Sequence, residues 1–161
     1  MKGGINMGIG IIVYSKTGNT LSVAEKLEKS FTQAGHDAVI QRVKVNTDEE
    51  GSSGKLSLTA NPDVSVYDAI VFAAPVHGFS LAPAMKLYLE QVGDLSGKKV
   101  YGFVTQHFKK PWLGGNRAIR TLKSLCQKKG ADLRVTGIVN WSNSEREKQI
   151  EEIITKLSTI K

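Results

Sequence analysis

Only one cysteine, Cys126, occurs in 161 residues. That excludes an intrachain disulfide and fits a reducing cytoplasm. The three histidines, His36, His77 and His107, are scattered and have no Cys or carboxylate at ligand spacing, so no metal site is expected. No window approaches the roughly 18 apolar residues of a membrane span. The opening, Met1 to Met7, is too short and too polar for a secretion signal. It reads as a ragged segment, 1–7, ahead of one domain at 8–161.

Acidic residues are the scarcer sign: 15 Asp and Glu against 22 Lys and Arg, a net charge of +7. Such a balance suits anionic partners. The lysines fall in dispersed pairs (Lys98-Lys99, Lys109-Lys110, Lys128-Lys129) with no basic aromatic stripe. They read as a solvated face, and no nucleic-acid partner is expected. The Walker pattern G-x-x-x-x-G-K-S/T is missing, and Gly8 and Gly10 precede the first strand instead of following it. Both common nucleotide loops are therefore excluded.

What is present begins at Ile9. The run Ile9 to Tyr14 has the length and β-branching of a buried strand. It ends in Ser15-Lys16-Thr17-Gly18-Asn19-Thr20, dense in hydroxyls. A helical face of Leu21, Ala24, Leu27, Phe31 and Ala34 follows, and Gly35 stops it. The first N–H groups of a helix lack partners and carry its positive dipole end. A phosphate there could accept bonds from those amides and from Ser15, Thr17 and Thr20. The plainer reading is that Thr17 or Asn19 caps the helix. A loop with many hydroxyls and one glycine suits a terminal phosphate monoester better than a pyrophosphate.

Ala38 to Val45 reads as a second strand, and 46–65 mostly as loop. Ala69 to Ala74 is a third, wholly apolar strand, closed by Pro75-Val76-His77-Gly78-Phe79-Ser80. A helix is expected from about Ala82 to Val92, a fourth strand over Lys99 to Thr105, and a long loop over 106–115. Helix Asn116 to Lys129 would bury Cys126 in its apolar stripe. Leu133 to Asn140 is a fifth strand. Ser144 and Glu147 form a candidate capping box before a helix that places Ile150, Ile153, Ile154 and Leu157 on one face. Strands alternating with helices imply a three-layer α/β domain with a five-stranded parallel sheet in the order 2-1-3-4-5. Its switch point, between strands 1 and 3, would gather the loops after strands 1, 3 and 4.

Each of those loops carries something that a planar phosphorylated cofactor needs. Loop 15–20 offers a phosphate cradle with Ser15, Lys16, Thr17, Gly18, Asn19 and Thr20. Loop 75–80 offers Pro75, Val76, His77, Gly78 and Phe79 against a ring. The third offers Thr105, Gln106 and His107 to polar ring edges, Phe108 and Trp112 for stacking, and the glycines Gly114 and Gly115. His77 reads either as a turn residue or as a contact to the ring edge, and Trp112 as a lid or as loop packing. Lys16 reads as a phosphate partner or as a solvent-facing side chain.

The pattern Ser/Thr-x-Thr-Gly-x-Thr between a strand and a helix, with Ala74-Pro75-Val76-His77-Gly78-Phe79 and Thr105-Gln106-His107, resembles the three flavin loops of flavodoxins and flavodoxin-like proteins. The resemblance covers nearly the whole domain. It implies non-covalent FMN, with the Gly78 carbonyl at the position that accepts a bond from the reduced flavin N5–H. It implies low-potential electron transfer with a redox partner protein, acidic where this chain is basic. The alternatives are an FMN-dependent quinone or nitro reductase using NAD(P)H, and a non-redox module holding another phosphorylated ligand. The expected assembly is a monomer or a homodimer. Departures from the family are the basic charge, the weak second crossover helix and a longer third loop without acidic residues. Receiver domains share the strand order but need acidic strand ends for Mg²⁺, which Tyr14-Ser15 and Ala74-Pro75 do not supply.

Overall fold

A computed structural model describes residues 7–46, 55–107 and 112–158. The elements are β1 (Gly8–Val13), α1 (Asn19–Gln33), β2 (Asp37–Arg42), β3 (Lys44–Val45), β4 (Leu58–Ala60) and β5 (Ala69–His77). They continue with β6 (Ser80–Leu81), α2 (Pro83–Gln91), β7 (Lys99–Gln106), α3 (Gly115–Lys128), β8 (Leu133–Asn140) and α4 (Arg146–Ser158). Five strands form a parallel sheet in the order β2-β1-β5-β7-β8, the expected 2-1-3-4-5 topology.

The period-2 alternation of side chains divides the core in two. Ile9, Ile11 and Val13 of β1 face α1 and α4, meeting Val23, Leu27, Phe31, Ile150 and Leu157. Ile12 and the alternate residues of β5 and β7 face α2 and α3, meeting Met85, Leu89, Leu122 and Cys126. Strands buried on both faces explain why β1, β5 and β7 read as unbroken apolar runs.

Three local expectations are corrected. Ala38 to Val45 is not one strand. Arg42 ends the pairing with β1, and Lys44–Val45 leaves the sheet to pair antiparallel with Leu58–Ala60, inside the stretch read as loop. Residues 47–54 of that stretch lie outside the described residues. The third strand runs three residues further, to His77, because it turns directly into a hairpin with β6. The capping box at Ser144 and Glu147 does not form. Asn143 instead accepts the Glu145 amide on Oδ1 at 2.8 Å, and Glu147 pairs with Lys26 and Arg146 across the surface.

Met7, assigned to the leading segment, is buried, and its amide donates to His36 Nδ1 at 3.2 Å. No helix among the described residues is long and apolar enough to cross a membrane.

Candidate functional site

The carboxyl ends of β1, β5 and β7 lie side by side, so the three loops that follow them meet at one rim. In the first, Gly18 precedes α1 with φ 96°, a left-handed conformation that glycine adopts without strain. Neither Thr17 nor Asn19 caps the helix. Ser15 does so from three residues upstream: its Oγ accepts from the amides of Gly18 and Leu21, each at 3.2 Å. With both acceptor positions used, the Ser15 hydroxyl keeps its proton for a further acceptor. The amides of Asn19 and Thr20, in the first helical turn, have no carbonyl within the helix to reach. Arg42 Nη2 donates to the Ser15 carbonyl at 3.1 Å, fixing the loop from the edge strand. Thr20 is buried, and its hydroxyl meets that of Thr105 at 2.7 Å. Lys16 and Thr17 are exposed.

The second loop is a two-residue hairpin in which Val76 pairs with Leu81 and His77 with Ser80. Its central residues, Gly78 (φ 57°) and Phe79 (φ 63°), are both left-handed, as a type I′ turn requires. Phe79 is the one non-glycine residue with positive φ among those described. The His77 ring stands edge-on to Tyr14, centroids 6.3 Å apart at 82°.

The third loop packs against the second at Gly114 (φ 119°). A Cβ there would come within 2.8 Å of Val76 Cγ1 and 2.9 Å of Phe79 Cα. Gln106 is buried and donates through Nε2 to Asn140 Oδ1. The Gln106 carbonyl accepts from Trp141 N at 2.7 Å, and that of His107 from Ser142 N at 3.3 Å. The loop is therefore tied to the segment after β8. Phe108 lies outside the described residues.

Between these loops lies a cavity of about 200 Å³ lined by Thr17, Asn19, Pro75, Val76, His77, Thr105, Gln106 and His107. It joins residues of all three loops. Ser15, Lys16, Gly18, Thr20, Gly78, Phe79, Trp112, Gly114 and Gly115 are not in its wall, and Phe79 (52%) and Trp112 (68%) are solvent-exposed. The volume is below the roughly 300 Å³ at which pockets begin to enclose a drug-sized ligand.

Tyr14, Arg42, Asn140 and Gln149 were missed as supports of this site. Tyr14 and Asn140 carry a sequence signal, as the last residues of the first and fifth strands; Arg42 and Gln149 carry none. Cys126 is buried on α3, where desolvation pushes its thiol up to about 12. It takes no part in the site. Among the described residues, no cluster of three His, Cys, Asp or Glu could hold a metal ion.

An open parallel sheet with a hydroxyl-rich loop at its switch point defines the flavodoxin-like fold. Comparison with known proteins agrees. The Flavodoxin domain model matches residues 10–137, and the chain belongs to that family. Among solved structures, it is similar to oxidised Flavodoxin 2 from Bacillus cereus: 20% identity over 94% of this chain and 98% of that one, TM-score 0.67. The Fusobacterium nucleatum flavodoxin bound to flavin mononucleotide matches at 16% identity, 95% and 98% coverage and TM-score 0.61. A flavoprotein in complex with FMN from Lactobacillus acidophilus matches at 19%, 89% and 98%, with TM-score 0.59. At these identities the likeness is one of fold. No curated protein matches the sequence.

Proposed function

We propose that this chain binds FMN non-covalently and transfers electrons at low potential to or from an acidic partner protein. One observation carries the reading: a cavity walled by all three switch-point loops, opening beside the N-terminus of α1. The residues fit the cofactor. Ser15, Thr17, Asn19 and Thr20 would hold its phosphate, with two first-turn amides and the free Ser15 proton as donors. Pro75 to His77 on one side and Thr105 to His107 on the other would hold the ring. When bound, the flavin supplies one- and two-electron chemistry, and the protein supplies binding and electrostatics.

The partner's charge follows from the loops. Segments 14–20, 75–81 and 105–117 contain Lys16, Lys109, Lys110 and Arg117 and no Asp or Glu. Of these, Lys16 and Arg117 are exposed among the described residues. Like charge facing a basic protein would slow encounter, and an acidic face would speed it.

Titration of the purified, flavin-free chain with FMN tests the cofactor. Quenching of flavin fluorescence at one FMN per chain is expected, with weaker binding of riboflavin, which lacks the phosphate. No uptake of FMN would end the proposal. Electron transfer to an acidic iron–sulfur protein should slow as salt rises. The exposed aromatic side chains Phe79 and Trp112, on the second and third loops, favour a second reading, a quinone or nitro reductase. Rapid bleaching of the flavin by NADPH alone would establish that reading over the first.

A further inference from the structure

We infer that the outer face of α3, together with the exposed aromatics Phe79 and Trp112 at its start, is the surface on which an acidic redox protein docks. This rests on the reading of the chain as an electron-transfer protein.

The positive charge of the chain is not spread evenly. From Lys98 to Ala131 the sequence holds nine Lys and Arg and no Asp or Glu. The remainder holds 13 Lys and Arg against 15 Asp and Glu, so all of the excess sits in this one stretch. Its helix is α3. Whereas α1, α2 and α4 each carry both signs, α3 carries Arg117, Arg120, Lys123 and Lys128 and no carboxylate. Its apolar stripe, with Leu122 and Cys126, is buried in the core. All four cations are exposed.

Acids adjoin the far end of the helix. Lys129 Nζ donates to the Glu90 carbonyl at 3.0 Å, a Cβ at Gly130 would lie 3.3 Å from Asp94 Oδ1, and Asp132 follows two residues later. Arg117, Arg120 and Lys123 stand at the other end, directly after the third loop. They span about 9 Å of helix axis. That is about one Debye length at 0.1 M salt, so a partner meets them as one field.

The same end carries the apolar anchors. A Cβ at Gly114 would lie 2.9 Å from Phe79 Cα, so Phe79 sits at the start of α3, and Trp112 is two residues from Gly114. Both aromatics are exposed. Aromatic anchors bordered by arginine are the make-up of protein–protein hot spots, and a field of one sign steers a partner of the other. A membrane fits less well. The exposed positions of α3 hold only Arg, Lys, Asn, Ser and Gln, none of which inserts among acyl chains. A helix that reads DNA enters the groove by its N-terminal residues, and here Gly114 and Gly115 are buried.

The test uses the flavin-loaded chain and a reduced, acidic [2Fe–2S] ferredoxin, with flavin reduction followed by stopped flow at low salt. Arg120→Glu with Lys123→Glu should slow the second-order rate by about tenfold or more. Lys29→Glu with Lys148→Glu changes the net charge equally but on α1 and α4, and should slow it less than twofold. The difference should vanish in 0.5 M NaCl. Equal slowing in the two double variants, or none in the first, would overturn the inference.

A second measurement needs no flavin. Adding the ferredoxin to the ¹⁵N-labelled flavin-free chain should shift the amides of residues 116–124 more than those of α1 and α4. Shifts confined to other elements would overturn the inference, as would tighter binding of a single-stranded oligonucleotide or of phosphatidylserine vesicles to α3. If FMN fails to bind while the shifts map to α3, the cofactor reading falls and the docking face stands.

Discussion

The hydroxyls of Thr20 and Thr105 meet at 2.7 Å, joining the first turn of α1 to the end of β7 across 85 residues of sequence. Both side chains are buried, Thr20 to 1% and Thr105 to 3% exposure. One hydroxyl donates and the other accepts, so the accepting one retains a proton for a third group. The loop after β1 and the third loop are thereby coupled.

Truncating one partner should therefore cost more than truncating both. Thr105→Val leaves the Thr20 hydroxyl buried without its partner and should destabilise by about 1–3 kcal/mol. Thr20→Val should do the same from the other side. The double variant should recover most of the loss. Urea unfolding of the four proteins gives the coupling directly. Equal losses that simply add would mean the bond contributes nothing.

Gly114 should tolerate no side chain. Alanine there would be forced into a positive φ and pressed within 2.8 Å of Val76 and 2.9 Å of the Phe79 backbone. Gly114→Ala should destabilise by roughly 2 kcal/mol or more and weaken ligand binding, because the hairpin and α3 must separate. Phe79→Asn should move stability the other way. Asparagine tolerates the left-handed conformation far better than phenylalanine, and Phe79 is half-exposed, so little packing is lost. A gain of about 0.5–1 kcal/mol is expected by thermal melting.

Long apolar runs made β1, β5 and β7 legible, because strands buried on both faces leave no alternation to misread. The five-strand order followed from their alternation with helices. The candidate cavity was legible where it depends on contiguous residues: Thr17 and Asn19, Pro75 to His77, and Thr105 to His107 all line it. It was illegible where a support arrives from elsewhere in the fold. Nothing near Arg42 marks it as a donor to the Ser15 carbonyl, and nothing near Gln149 links it to Asn140. The break after Arg42 escaped notice for a similar reason. Residues 38–45 have uniform β propensity, and only the end of β1 as a partner decides where the strand leaves the sheet. The proposed capping box failed because Asn143, one residue upstream of Ser144, supplied a turn of its own.

Ser15→Ala removes the only side-chain acceptor for the amides of Gly18 and Leu21 among the described residues. Loss of a helix cap costs about 0.5–2 kcal/mol. Affinity for FMN should fall in parallel, whereas Lys16→Ala, on an exposed side chain, should change stability little. Denaturant midpoints and flavin titrations on both variants separate the two effects.

Alkaline pH should weaken the fold through buried groups that cannot ionise. Desolvation raises the Cys126 thiol from its ordinary value near 9 to about 12. Below pH 9 the thiol is protonated in folded and unfolded chains alike, so stability does not depend on it. Between pH 9 and 12 the unfolded chain releases the proton first, and it therefore binds fewer protons than the native one. Stability must then fall as pH rises through that window. Tyr88, also raised by burial and donating its hydroxyl to the Pro62 carbonyl at 2.6 Å, adds to the decline at the upper end. Replacing Cys126 with alanine should lower stability at pH 7 by opening a small cavity, yet flatten the loss that begins near pH 9. Urea midpoints for both proteins from pH 7 to 11 test this. Parallel curves would show that the thiol ionises as readily in the core as in the unfolded chain.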